Sequence, residues 1–208
     1  MRPYFYRIIY KICNMILPIV AYGNAVLKQK AAVVDPDMEG LDELLHNMWE
    51  TMYNGRGVGL AAPQIGKSLR IFMVDTEQLV KENEEAEEGD ELYRIKTGIK
   101  QVFINPEVIS ESGNPWVYEE GCLSIPDIRV KISRNEEIRI KYQNERFESF
   151  EATFDGMNAR VIQHEYDHLE GILLTDRMSP LKKSLLKGKL DSISKGRIDV
   201  NYRMRFVQ

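Results

Sequence analysis

Residues 157–170 read MNARVIQHEYDHLE, and the interpretation of this stretch decides the fold. Its apolar positions fall at helical rather than strand spacing, over enough of the surface for a helix that is largely buried. Within it, HEYDH places His164 and His168 four residues apart, on one helical face, where both imidazoles can reach a single metal ion. Glu165 is rotated by about 100° from His164, beside that face rather than on it, where a proton shuttle for a metal-activated water would sit. The alternative is a surface helix that happens to carry two histidines. The flanking Val161, Ile162 and Leu169 argue against it, because buried imidazoles need partners.

Two histidines do not complete a site, since a catalytic metal commonly takes three protein ligands and keeps one position open. His46 is the remaining histidine and falls on the polar side of an earlier helix. The candidate third ligand is therefore Cys122, in EEGCLSIP, where Gly121 and the Pro126 turn suggest a thiolate at a strand end. Plain packing is the competing reading for a single buried cysteine. Cys13, the other cysteine, has no such context. Two cysteines are too few for a disulfide framework and point to a reducing compartment, the cytoplasm by default.

GVGLAAPQIG at 57–66 is the third element. Gly57 and Gly59 let backbone approach a ligand closely, and Gln64 offers an amide donor for a developing oxyanion. No Gly-Lys-Ser/Thr follows, so this is not a phosphate loop.

Around these motifs the chain reads as one α+β domain. Leu41, Leu44, Leu45, Met48 and Met52 form one apolar helical face within residues 41–53. Residues 70–76 read as a buried strand. Residues 101–110 read as another, with Pro106 implying an edge or a bulge, and residues 137–154 as a hairpin with alternating Ile138, Ile140 and Tyr142. Strands first and a buried helix late give an α+β layout. Residues 81–91, KENEEAEEGDE, have nothing to bury and read as a solvated loop. Residues 1–14 read as an extension ahead of a catalytic domain at 15–180, with an organellar transit peptide as the lesser alternative. Residues 181–208 form a basic tail, with Leu181, Leu185, Leu186, Leu190 and Ile193 patterned as one amphipathic helix. The 28 basic and 32 acidic residues leave a net charge of -4, too mild for a nucleic-acid binder overall. No run approaches the ~18 apolar residues of a membrane span.

GVGLAAPQ, EGCLS and QHEYDHLEG, in this order, resemble the three signature motifs of peptide deformylases. The resemblance runs from about Ile16 to Pro180. It implies mixed or antiparallel β-sheets surrounding one central helix, and removal of the formyl group from formyl-methionine of nascent chains, with release of formate. It also implies metal ligation by Cys122, His164 and His168, acid–base work by Glu165, and oxyanion stabilisation by Gln64 and the Leu123 N–H. Val58, Gly59, Leu60, Glu120 and Gly121 would line a peptide groove, Val161 a methionine pocket, and Arg129 would face the peptide beyond it. The implied ion is Fe²⁺ in the cell, with Zn²⁺, Ni²⁺ or Co²⁺ as substitutes. The expected protein is a monomer, its tail free either to contact the ribosome or to pack on the domain. An Arg134–Asp167 ion pair is expected beneath the site, because a lone carboxylate on a buried helix is costly. Two readings compete: a metallopeptidase of the HExxH type, which leaves EGCLS and GVGLAAPQ unexplained, and a non-catalytic metal-stabilised module that binds nascent chains, which would have lost Glu165 or Gln64.

Overall fold

The computed structural model describes residues 15–83 and 97–207. The extension at 1–14, including Cys13, and residues 84–91 of the acidic segment lie outside the described residues. The element order is β1 (Ile19–Val20), α1 (Leu41–Asn54), β2 (Gly59–Ala61), β3 (Ile71–Asp75), α2 (Glu77–Asn83), β4 (Lys100–Ser112), β5 (Trp116–Cys122), β6 (Ile125–Arg134), β7 (Glu137–Gln143), β8 (Ser149–Asp155), α3 (Gly156–Leu169), α4 (Pro180–Leu185), α5 (Lys187–Ser194) and β9 (Met204–Arg205). Five strands form an antiparallel sheet in the order β2-β3-β4-β7-β8. β5 and β6 make a separate antiparallel ribbon, and β1 pairs in parallel with β9. This is the α+β architecture expected.

The central helix α3 lies between the sheet and the ribbon, and its two faces differ in chemistry. Ala159, Val161, Ile162 and Leu169 join Phe72, Val74, Phe103, Ile138 and Ile140 in one apolar cluster against the sheet. Arg160, His164, Asp167 and His168 instead bond to residues of the ribbon. The 3.6-residue repeat thus separates a packing stripe from a chemical one. The chain leaves α3 through Gly171 at φ 71°, where a Cβ would meet the Lys28 carbonyl at 2.7 Å.

Period-two alternation does the corresponding work in the strands. In β6, Ile128, Val130, Ile132 and Arg134 are buried while Asp127, Arg129, Lys131 and Ser133 are exposed. In β5 the same parity puts Trp116, Tyr118, Glu120 and Cys122 on one side of the ribbon.

One expectation is resolved between its alternatives and two change in detail. Pro106 does not mark an edge, because β4 is flanked by β3 and β7; it sits in a bulge, where the register shifts between Ile104 and Glu107. The bulge tolerates a residue without an N–H, and the Pro106 carbonyl accepts from Arg70 at 2.8 Å. The first residues of the 81–91 segment are helical, since α2 runs to Asn83. The single amphipathic helix expected in the tail is two, α4 and α5. Leu181 and Leu185 are over 70% exposed while Leu190 and Ile193 are buried, so the apolar stripe is not continuous. Among the described residues no helix is long and apolar enough to cross a membrane.

Candidate metal centre and active site

Cys122 ends β5, and the Leu123–Ser124 turn returns the chain into β6. The turn brings the sulfur to α3, where Cys122 Sγ lies 3.4 Å from His168 Nε2. The ligand atoms of Cys122, His164 and His168 lie within 4.8 Å of one another, the single such group among the described residues. His46 is not part of it. A tetrahedral ion at ordinary metal–sulfur and metal–nitrogen lengths separates its S and N ligands by about 3.6 Å, so the sulfur–nitrogen contact fits one ion between them. His164 Nδ1 faces Glu120 Oε2 at 2.9 Å, which leaves its Nε2 for a metal. A carboxylate behind a ligating imidazole fixes the ring and its tautomer.

Glu120 is the centre of a buried charge network. Arg134 donates through Nε and Nη2 to its two oxygens at 2.8 and 2.9 Å, and Arg160 Nη1 donates to Oε1 as well. Arg134 Nη1 reaches Asp167 Oδ2 at 2.8 Å, and Arg177 grips both oxygens of Asp167. The Arg134–Asp167 pair is therefore present, within a larger assembly that also takes in Glu120, Arg160 and Arg177. Burial alone raises the Glu120 pKa, but hydrogen bonds from His164 and Arg134 outweigh it and hold the carboxyl well below its usual range. Arg160 also stacks on Trp116, 4.0 Å from guanidinium carbon to ring centre, and donates to the Trp116 carbonyl at 2.6 Å.

Glu165 is only 4% exposed, yet among the described residues its Oε2 has no hydrogen-bond partner. Burial pushes its carboxyl up to about 7, against the lowering influence of His164 and Arg134. Such a group exchanges protons readily near neutrality. Its room comes from Gly59, where a Cβ would lie 2.5 Å from Glu165 Oε1. Gly57 similarly makes way for Leu123, whose Cδ1 would meet a Cβ at 2.9 Å. Both glycines accommodate neighbouring side chains, a close approach that spacing alone does not reveal. Gln64 stands in a 3₁₀ turn, Ala62–Ile65, with Oε1 accepting from Ala61 N at 2.8 Å and Nε2 directed at Cys122 Sγ at 3.5 Å.

These groups open onto a cleft of about 840 Å³. Val58, Gly59, Gln64, Glu120, Gly121, Cys122, Leu123, Arg129, Val161, His164 and Glu165 border it, whereas the Leu60 side chain is buried in the core with Met48 and Met73. Among the described residues β2 is the last strand of its sheet and β5 pairs only with β6, so each presents an unpaired edge there. No sequence motif points to Arg160, Arg177 or Tyr202, of which Arg160 and Tyr202 border the cleft. The parity of Arg160 with His164 on α3 was available as a signal; for Tyr202 no local pattern was.

Within this α+β fold, a thiol and two imidazoles that could hold one ion stand beside a buried carboxyl, an arrangement that suits a metal-dependent hydrolase. Comparison with known proteins narrows it. The polypeptide deformylase family matches residues 16–184. The peptide deformylase of Christiangramia forsetii is 52% identical over 192 residues, covering 92% of this chain and 96% of that one. That of Flavobacterium johnsoniae is 48% identical over the same length and coverage. Among solved structures, a peptide deformylase from Legionella pneumophila superposes with a TM-score of 0.73 at 34% identity, over 88% of this chain and 98% of that one. The chain belongs to the peptide deformylase family. Its activity is the family's: hydrolytic removal of the N-terminal formyl group from nascent proteins, dependent on a metal.

Proposed function

We propose that deformylation here runs on Glu165 as the proton carrier, with Cys122, His164 and His168 holding one divalent ion. The observation that carries this reading is the buried Glu165 carboxyl, which borders the cleft beside the three ligands with one oxygen unpartnered. When bound, the ion supplies Lewis acidity, lowering the pKa of a coordinated water towards ~7. Glu165 accepts the proton of the attacking water. It then delivers that proton to the departing amine nitrogen, so the C–N bond breaks to leave formate and a free N-terminus. Gln64 Nε2 and the Leu123 N–H donate to the oxygen that gains charge at the formyl carbon. Among the described residues no protein acceptor takes the Leu123 N–H, which supports that role.

The substrate lies extended between the free edges of β2 and β5, with backbone pairing at Val58, Gly59, Leu60, Glu120 and Gly121. Val161 borders the methionine pocket and Arg129 faces the residues beyond. The direct test is formate release from a formyl-methionyl peptide by anaerobically purified protein, with metal measured on the same sample. Cleavage of unformylated peptides without formate would replace this reading with that of a peptidase.

Ferrous iron is the ion we assign in the cell, with Zn²⁺, Ni²⁺ and Co²⁺ as substitutes that a soft thiolate and two imidazoles also accept. Iron-loaded protein should lose activity in aerated buffer as metal and thiolate oxidise, while nickel-loaded protein keeps it. Equal decay with and without air would remove iron from the assignment. The protein acts as a cytoplasmic monomer, where nascent chains are made. Lys182 and Lys187, with the cations around them, offer a ribosome contact. Replacing both by Glu should weaken co-sedimentation with ribosomes at low salt; unchanged co-sedimentation would mean that these lysines make no ribosome contact.

A further inference from the structure

The C-terminal residues reach the reaction centre. β9 is tied to β1 by the backbone bonds Ile19 N to Arg203 O and Ala21 N to Arg205 O, both 2.9 Å. Just ahead of it, Asp199, Val200, Asn201 and Tyr202 border the cleft. The Tyr202 hydroxyl donates to the Leu123 carbonyl at 2.8 Å. One residue on, the Ser124 carbonyl accepts from Tyr22 N at 2.9 Å. The Leu123 side chain is confined by Gly55 and Gly57, where added Cβ atoms would stand 3.1 and 2.9 Å from its methyls. Leu123 and Ser124 are the whole connection between β5 and β6. A two-residue turn keeps its peptide planes in place only as well as its carbonyls are held.

We propose that Tyr202 is a positioning residue for deformylation: its hydroxyl pins the Leu123 carbonyl, and so keeps the adjoining Leu123 N–H aimed at the oxyanion. This rests on the reading of that N–H as an oxyanion donor. The peptide plane before Leu123 begins at the ligand Cys122, and the plane after it is the one Tyr202 grips. With the second plane released, the turn can rotate between two fixed strand ends, and the N–H loses its aim without the ligands moving. Oxyanion donors act through preorganisation, so the loss should appear in the chemical step rather than in substrate binding. The segment that carries Tyr202 is thereby part of the active site, although it follows every signature motif.

Tyr202→Phe keeps the ring and removes the hydroxyl. With metal content measured, kcat per bound metal should fall about tenfold, equivalent to about 1.4 kcal/mol, with KM for a formyl-methionyl tripeptide unchanged. Hydrogen exchange at the Leu123 amide should quicken. A 3-fluorotyrosine installed at position 202 keeps the donor and nearly the volume, and should restore kcat. A kcat per metal equal to that of the unsubstituted protein would overturn the proposal. So would a raised KM with kcat intact, which would place Tyr202 on the substrate. A loss under 3-fluorotyrosine as large as that of Tyr202→Phe would mark a packing effect and overturn it too. Absence of formate from the unsubstituted protein would remove the reaction itself, a separate failure seen before any variant is compared.

Discussion

Glu165→Gln should keep its metal and lose roughly 10²–10⁴-fold in kcat, the usual contribution of a positioned acid–base group. The amide matches the carboxyl in shape, and the pocket that Gly59 leaves open still holds it. It cannot accept the proton of the attacking water, and so has none to return to the amine. Because Glu165 lies beside the helical face of His164 and His168 rather than on it, the substitution should leave the grouping of Cys122, His164 and His168 intact. Metal analysis and formate release on one preparation check this. Substantial turnover at full metal occupancy would mean that another group moves the proton.

The second large effect is on stability. Arg134→Leu removes a guanidinium whose side chain is 2% exposed and which bonds both oxygens of Glu120 and one of Asp167. Breaking a buried pair by deleting one partner costs about 3–5 kcal/mol, because a charge is left uncompensated. Here Arg160 still contacts Glu120 and Arg177 still contacts Asp167, which argues for the lower end. About 3 kcal/mol lowers the melting temperature of a chain this size by roughly 6–12 °C. Glu120 would also hold the His164 ring less firmly, and loss of such support behind a ligand lowers metal affinity by about 10–100-fold. Thermal melting and metal retention under a chelator measure the two parts separately. A variant that melts with the unsubstituted protein would show that the two remaining arginines carry the network alone.

What could be read along the chain was whatever repeats at a local period. The HEYDH spacing puts two imidazoles on one face of α3 and Glu165 beside it. The alternation within 137–154 puts Ile138, Ile140 and Tyr142 on one inward face of β7. These follow from 3.6 and 2.0 residues per repeat, which the backbone imposes wherever the element forms. The α+β class followed from the order of such elements. The three motifs, taken in order, led to the family.

The chemistry available on each element was thus legible in the residues alone: two imidazoles and a carboxyl on one helix, a thiol at a strand end, an amide in a glycine-rich turn. Which groups meet was settled by the fold. It set Cys122 against His168 across 46 positions, and Gly59 against Glu165. It gathered Arg134, Arg160 and His164 around Glu120, and brought Tyr202 to Leu123 across 79 positions. It also placed Pro106 in an interior bulge rather than at an edge. The physical reason is the same in each case. Local periodicity states which way a side chain points from its own element, whereas its partner is chosen by how sheet, ribbon and helix pack, and that packing is a property of the whole core.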